Sequence, residues 1–177
     1  MENQPRLRFT EYFDDWQEME FREVLTVNSG RDYKHLEHGN VPVYGTGGYM
    51  LSVNDKLSDV DAIGIGRKGT IDKPQLLKAP FWTVDTLFFL TPKEHTNLQF
   101  LFSLVQKIRW KSLDESTGVP SLSKVNIEKV KEFFPRITEQ AKIGVFFESI
   151  DHLITLHQRE LDKAKELKKS LLQKMFV

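Results

Sequence analysis

The densest group of chemically capable side chains is Arg67-Lys68-Gly69-Thr70, two cations and a hydroxyl on a glycine-containing turn. Such a turn can hold phosphate oxygens, and the two donors of Arg67 also suit the paired acceptors on a guanine edge. An ordinary solvated turn has the same composition. Lys73 and Lys78 extend the group, with Asp72 as the one acid between 67 and 78. A second group, Lys107, Arg109 and Lys111, surrounds Trp110. Its cations suit phosphate positioning, while Trp110 reads as core. A third places Tyr44, Thr46 and Tyr49 around Gly45, Gly47 and Gly48, an aromatic and hydroxyl loop able to face a groove or to pack on its own domain. In a fourth, Ser116, Thr117, Gly118 and Ser121 form a polar loop that can donate hydrogen bonds or cap the helix after it.

Other chemistries lack their residues. There is no cysteine, which excludes disulfide frameworks, thiolate zinc and a Cys nucleophile. P-loop, His-Glu-x-x-His and Gly-x-Ser-x-Gly patterns are absent. Gly64, Gly66 and Gly69 have dinucleotide-fingerprint spacing, but that fingerprint must open a helix and Pro74 blocks one. His35, His38, His95, His152 and His157 gather no carboxylate set for a metal. Asp14, Asp15, Asp59 and Asp61 read as solvated turn acids.

These groups must be held by a core, and 177 residues with 40% apolar content supply one. No apolar run approaches the ~18–20 residues of a membrane helix. Met1-Glu-Asn-Gln-Pro5 lacks the basic and apolar segments of a signal peptide, so the expectation is cytoplasmic. The net charge of zero does not suggest nucleic acid, whose binders usually carry a basic excess. The distribution is uneven, with six acids against two bases over 2–20 and the basic groups above further on.

Up to Pro135 the sequence reads as α/β. Residues 16–27 suit a short helix or a strand, and 41–44 a short extended run that Pro42 confines to an edge or irregular position. Residues 62–66 suit a buried strand, 81–90 the strongest strand, 97–110 an amphipathic helix, and 123–133 a short helix. From Thr138, an N-cap candidate, one long helix follows. Phe147, Ile150, Ile154, His157, Leu161, Ala164, Lys168, Leu171 and Met175 recur at alternating spacings of 3 and 4, a heptad seam interrupted by His157 and Lys168. At ~1.5 Å per residue such a helix reaches roughly 57 Å, more than one small domain covers, so its distal part must find another helix.

Taken in order, several segments resemble the specificity subunits of type I restriction-modification systems. They are Pro5-Arg-Leu-Arg-Phe9 with Asp14-Asp-Trp16, then Val41-Pro-Val-Tyr-Gly-Thr-Gly-Gly-Tyr49, then Ile63-Gly-Ile-Gly-Arg-Lys-Gly69. Phe81-Trp-Thr-Val-Asp-Thr86, Ser116-Thr-Gly-Val-Pro-Ser-Leu-Ser123 and Phe134-Pro-Arg-Ile-Thr-Glu-Gln140 follow, leading into the long helix. The match covers nearly the whole chain.

The resemblance implies an α/β (α+β) target-recognition domain over 1–137 and a coiled-coil spacer helix over 138–177. It implies a subunit that reads double-stranded DNA without catalysing. S-adenosylmethionine, ATP and Mg would belong to the modification and restriction subunits it assembles with. The candidate DNA contacts are the four groups above. The candidate pairing residues are Phe147, Ile150, Ile154, His157, Leu161, Ala164, Leu171 and Met175. The family usually has two recognition domains alternating with two helices. One of each leaves open a natural half that pairs with a second copy and an excised half. The rival reading is a coiled-coil protein-interaction adaptor without DNA reading, favoured by neutral charge. Convergence of the bases of 67–78 and 107–111, with Arg31 and Lys34, on one concave face separates the two.

Overall fold

The computed structural model describes residues 3–176. Along the chain run β1 (Gln17–Glu20), α1 (Phe21–Val24), β2 (Leu25–Ser29), β3 (His38–Gly45), β4 (Gly48–Val53), β5 (Ala62–Gly66), β6 (Gln75–Leu77), β7 (Trp82–Thr83), β8 (Leu87–Pro92) and α2 (Leu98–Lys107). A 3-10 turn (Trp110–Leu113), α3 (Lys124–Glu128), β9 (Lys131–Phe134) and α4 (Ile137–Met175) complete it.

β5 is buried along its whole length, so its side chains need cover on both faces. It sits inside a four-stranded antiparallel sheet of order β2-β8-β5-β6. Side chains alternate across a strand. Ile63, Ile65, Phe88 and Leu90 therefore enter one core with Phe21, Phe100, Leu101, Trp110 and Ile127. Ala62, Leu87 and Phe89 enter a second core with Val43, Val53, Leu77, Phe81 and Trp82. A three-stranded sheet, β4-β3-β7, covers that second face. Pro42 lies in β3 between two register shifts, the irregular position its missing donor requires.

The expected strand over 81–90 is two strands in two sheets. The amide of Leu87 donates to the carbonyl of Val84 at 2.9 Å, closing a turn at Asp85 and Thr86. The expected helix over 123–133 is shorter. The Ser123 hydroxyl accepts from the Asn126 amide to cap α3, and the chain then becomes β9, paired antiparallel with β1. Residues 16–27 hold two strands with one helical turn between them.

The mixed α+β domain is followed by the expected long helix. α4 has 39 residues, about 58 Å at ~1.5 Å each. It starts before Thr138, at Arg136, which caps it without a side-chain bond. Gln140 does the local work instead: its Oε1 accepts from the Asn97 amide at 2.9 Å, and its Nε2 donates to the Pro135 carbonyl at 2.9 Å. Gly144 lets α4 approach α2, since a Cβ there would lie 2.9 Å from the Phe100 amide nitrogen. Beyond Glu148, whose Oε1 accepts from Gln99 Nε2 at 3.0 Å, the helix leaves the domain, and Phe147, Ile154, Leu161, Leu171 and Met175 are exposed. His157 and Ala164 are exposed too, and Ile150 is half-buried.

Candidate nucleic-acid interface

One edge of the domain is built from segments that hydrogen-bond to one another. The Val84 amide donates to the Tyr44 carbonyl at 3.0 Å, tying the β3–β4 hairpin to the turn before β8. The Arg67 amide donates to the Thr86 carbonyl at 2.8 Å, tying that turn to 67–70. The Gly69 amide donates to Pro120 at 2.8 Å and the Leu122 amide to Arg67 at 2.9 Å, tying 67–70 to the loop before α3. The Arg31 amide, just past β2, donates to Thr83 at 2.9 Å. Backbone–backbone bonds thus fix the spacing of these loops.

Arg67 lies 5.7 Å from the ring centroid of Phe88, which orients its guanidinium. Arg67 and Lys68 have no carboxylate within ion-pair distance among the described residues, whereas Lys78, Lys107 and Lys111 are paired with Asp61, Glu132 and Asp72. Arg67, Lys68, Ser29, Ser121, Ser123 and Lys124 line a shallow cavity of about 460 Å³. Lys124 is also 3.6 Å from Glu128 and the Ser123 hydroxyl caps α3, so Arg67 and Lys68 are the cations of this lining without a carboxylate partner among the described residues, a pair that suits an anionic ligand such as a phosphate backbone. Gly66 makes the hollow's wall possible: a Cβ there would sit 2.0 Å from the Thr70 carbonyl oxygen. Thr70 and Lys73 are exposed beyond the turn.

The loop from 114 to 121 is organised by one carboxylate. Asp114 accepts from the Ser116 amide at 3.0 Å, the Ser116 hydroxyl at 2.8 Å and the Ser121 amide at 2.9 Å. Those donors hold its carboxyl below the usual range, the Ser121 amide most of all. The Ser116 hydroxyl is therefore engaged within the loop, while Thr117 is exposed. At the hairpin tip, Thr46 and Gly48 are half-buried, Gly47 is exposed, and Tyr49 stands in solvent edge-on to Tyr44, 6.4 Å between ring centroids. The side-chain Nε2 of Gln75 donates to the Gly45 carbonyl at 2.7 Å and pins the tip to β6.

The group around Trp110 does not join this edge as a unit. Trp110 is core, its Nε1 donating to the Val105 carbonyl at 2.8 Å. Lys107 turns to Glu132 on β9, Lys111 turns to Asp72, and Arg109 is exposed. Sequence reasoning missed Ser29 and Lys124. The signal for Lys124 was its place directly after the polar loop, while Ser29 reaches the cavity only through the pairing of β2 with β8.

Polar loops aligned on a rigid α+β scaffold, carried by a projecting helix, define a recognition module. The chain belongs to the family of type I restriction modification DNA specificity domains, whose family model matches residues 13–166. Solved structures share the fold at low identity. The type I restriction-modification S subunit from M. genitalium matches at 15% identity and TM-score 0.69 over 86% of this chain and 44% of its own. A chain from a structural study of complex assembly and conformational transition of the type I R-M system matches at 14% and 0.70, over 88% and 43%. The HsdS subunit from Thermoanaerobacter tengcongensis matches at 14% and 0.57, over 88% and 41%. This chain spans less than half the length of those structures. No curated protein matches the sequence. Among the described residues no helix is long and apolar enough to cross a membrane.

Proposed function

We propose that this chain reads one half of a split double-stranded DNA target and directs modification subunits, and through them restriction subunits, to that site in the cytoplasm. It contributes no catalysis; S-adenosylmethionine, ATP and Mg act on the partner subunits. The observation that carries this reading is the cavity edge lined by Arg67 and Lys68, which have no carboxylate partner among the described residues, held by backbone bonds between loops distant in sequence. Phosphate contacts there would fix register, with Arg67, Tyr49 and the hairpin tip left for base edges.

α4 supports a homodimer. Its projecting half nearest the domain carries Glu148, Asp151, Glu160 and Asp162 against Arg159, and its far end carries Lys163, Lys165, Lys168, Lys169 and Lys174 against Glu166. Antiparallel pairing of two copies sets acidic against basic segments; parallel pairing sets like against like. Phe147 and Met175 each lie 14 residues from Leu161, so a twofold axis at Leu161 matches the two ends of the seam. Such a dimer reads a palindromic target with a fixed spacer.

The adaptor reading keeps one observation in its favour: Lys78, Lys107 and Lys111 are neutralised within the domain and do not converge with Arg67. Gel shifts against random duplexes, alone and with modification subunits, followed by sequencing of methylated bases in a host carrying both, decide between them. A recurrent palindromic methylated motif is the expected result. Absence of sequence preference in both formats removes the DNA-reading claim.

A further inference from the structure

The segment from Thr83 to Thr86, between β7 and β8, braces more than one loop. Its Thr86 carbonyl accepts from the amides of Arg67 and Lys68, at 2.8 and 3.3 Å. Three residues earlier, its Thr83 carbonyl accepts from the Arg31 amide at 2.9 Å. Three residues span at most roughly 10 Å. The turn closed by the Leu87 amide on the Val84 carbonyl, at 2.9 Å, shortens that span further. The backbones of Arg31 and Arg67 are thus hung from one short brace, although 36 positions separate them in sequence.

Arg31 is held on its other side as well. Trp82 is 3% exposed, and a buried indole N–H needs an acceptor inside the protein. Its Nε1 donates to the Arg31 carbonyl at 3.0 Å. Just before Arg31, a Cβ on Gly30 would lie 2.0 Å from the Val84 carbonyl oxygen, so only glycine lets the chain lie this close to the brace. Ser29, one residue earlier still, lines the cavity shared with Arg67 and Lys68. Both peptide groups of Arg31 are therefore committed, while its side chain is exposed. The arginines that form ion pairs among the described residues are Arg8, Arg22 and Arg136; Arg31, like Arg67, is outside that set.

We propose that Arg31 is a second specificity-determining arginine of this edge, reading a guanine in the same groove as Arg67, with Trp82 as its positioning residue. This rests on the DNA reading proposed above. A phosphate contact tolerates a mobile point charge, whereas a two-donor contact to a guanine edge needs a placed guanidinium fork. A side chain launched from a backbone fixed at both its amide and its carbonyl meets that need. The major groove is about 12 Å wide, so two arginines hung from one brace can enter it together. The brace then fixes the number of base pairs between the two guanines.

The test selects bound duplexes from a random pool with the full chain and modification subunits, then measures isotherms at several salt concentrations. Arg31→Ala should lose the preference at one base pair, with about tenfold or more weaker binding to the parent's selected duplex. Arg31→Lys restores the charge without the fork, so it should recover the parent's salt slope but not that base pair. Trp82→Phe keeps an aromatic ring and removes the donor. It should blur the same base pair, leave the salt slope alone and spare the base pair lost in Arg67→Ala. The Arg31 variants change an exposed side chain and decide the claim even where Trp82→Phe lowers the melting temperature. A selected motif unchanged in both Arg31 variants overturns the second reader and keeps the reading by Arg67. Equal losses on every duplex, recovered by Arg31→Lys, make Arg31 a phosphate clamp and overturn it too. A parent that selects no motif overturns this inference together with the DNA reading.

Discussion

Arg8 and Glu139, 131 positions apart in sequence, meet through two hydrogen bonds, Nε to Oε1 at 2.7 Å and Nη2 to Oε2 at 2.8 Å. Trp16 adds a third, from Nε1 to Oε1 at 3.3 Å. Glu139 is 2% exposed, so the pair anchors the N-terminal arm to the root of α4. Removing one partner leaves a buried charge alone, which costs more than removing both. Glu139→Ala is expected to lower the melting temperature by several degrees, and Arg8→Leu with Glu139→Leu to recover much of the loss. Thermal unfolding of the three proteins checks the order.

Arg67 and Lys68 are adjacent but should fail differently. Arg67, aligned on Phe88, is the candidate for base edges, and Arg67→Ala should cost roughly 1–3 kcal/mol on the preferred sequence and little on random DNA. Lys68→Ala should weaken binding to all sequences alike and reduce the slope of log K against log salt by about 1. Binding isotherms at four salt concentrations, with preferred and random duplexes, separate the two. Identical losses from both variants on both duplexes would make the turn a plain phosphate clamp.

Gly66 tests whether the cavity wall matters without touching any contact residue. An added Cβ would meet the Thr70 carbonyl oxygen at 2.0 Å, so the turn must move. Gly66→Ala should cost affinity out of proportion to its effect on stability, because Arg67 and Lys68 follow it directly. Comparing the melting shift with the change in Kd checks this; equal losses would mean the whole domain has loosened.

The Asp114 carboxyl is held below its usual range by the Ser121 and Ser116 amides and the Ser116 hydroxyl. A carboxylate with a depressed folded pKa contributes stability above its unfolded pKa and loses it as pH falls through the folded one. The loop order it supplies is therefore full near neutrality and disappears only below the ordinary aspartate range, near 3.8. Hydrogen exchange at the Ser116 and Ser121 amides should be slow at pH 7, and Asp114→Ala should abolish that protection. DNA binding should weaken in parallel, since Lys124 and Ser121 lose their station opposite Arg67.

Much of this was legible in the sequence where the signal was local. The long helix announced itself through heptad spacing, and Ala62–Gly66 as a buried strand, because each pattern repeats within a short window. The break at Asp85 was hidden inside an aromatic, β-branched run, since the choice between one strand and two depends on β3, which pairs with Trp82 and Thr83. Lys131–Phe134 was hidden for the same reason: its partner β1 lies more than a hundred residues upstream. At the candidate site, the turn cations were visible as residue types. Whether each stays free was not, because Lys107 and Lys111 find their acids only in the folded chain.

The proposed pairing through α4 can be tested at its centre, at Ile154 and Leu161, without touching the domain. Ile154 is 61% exposed and Leu161 50%, and neither touches the two cores. A charge at either position enters any seam formed there, where an unpaired carboxylate is strongly unfavourable. Ile154→Asp and Leu161→Asp should each sediment as monomers while melting as the parent domain does. The acidic and basic halves give a second handle: Glu148→Lys should weaken the dimer, and combining it with Lys174→Glu should restore it, since those positions oppose one another about Leu161. An unchanged dimer in the aspartate variants would place the interface away from this helix.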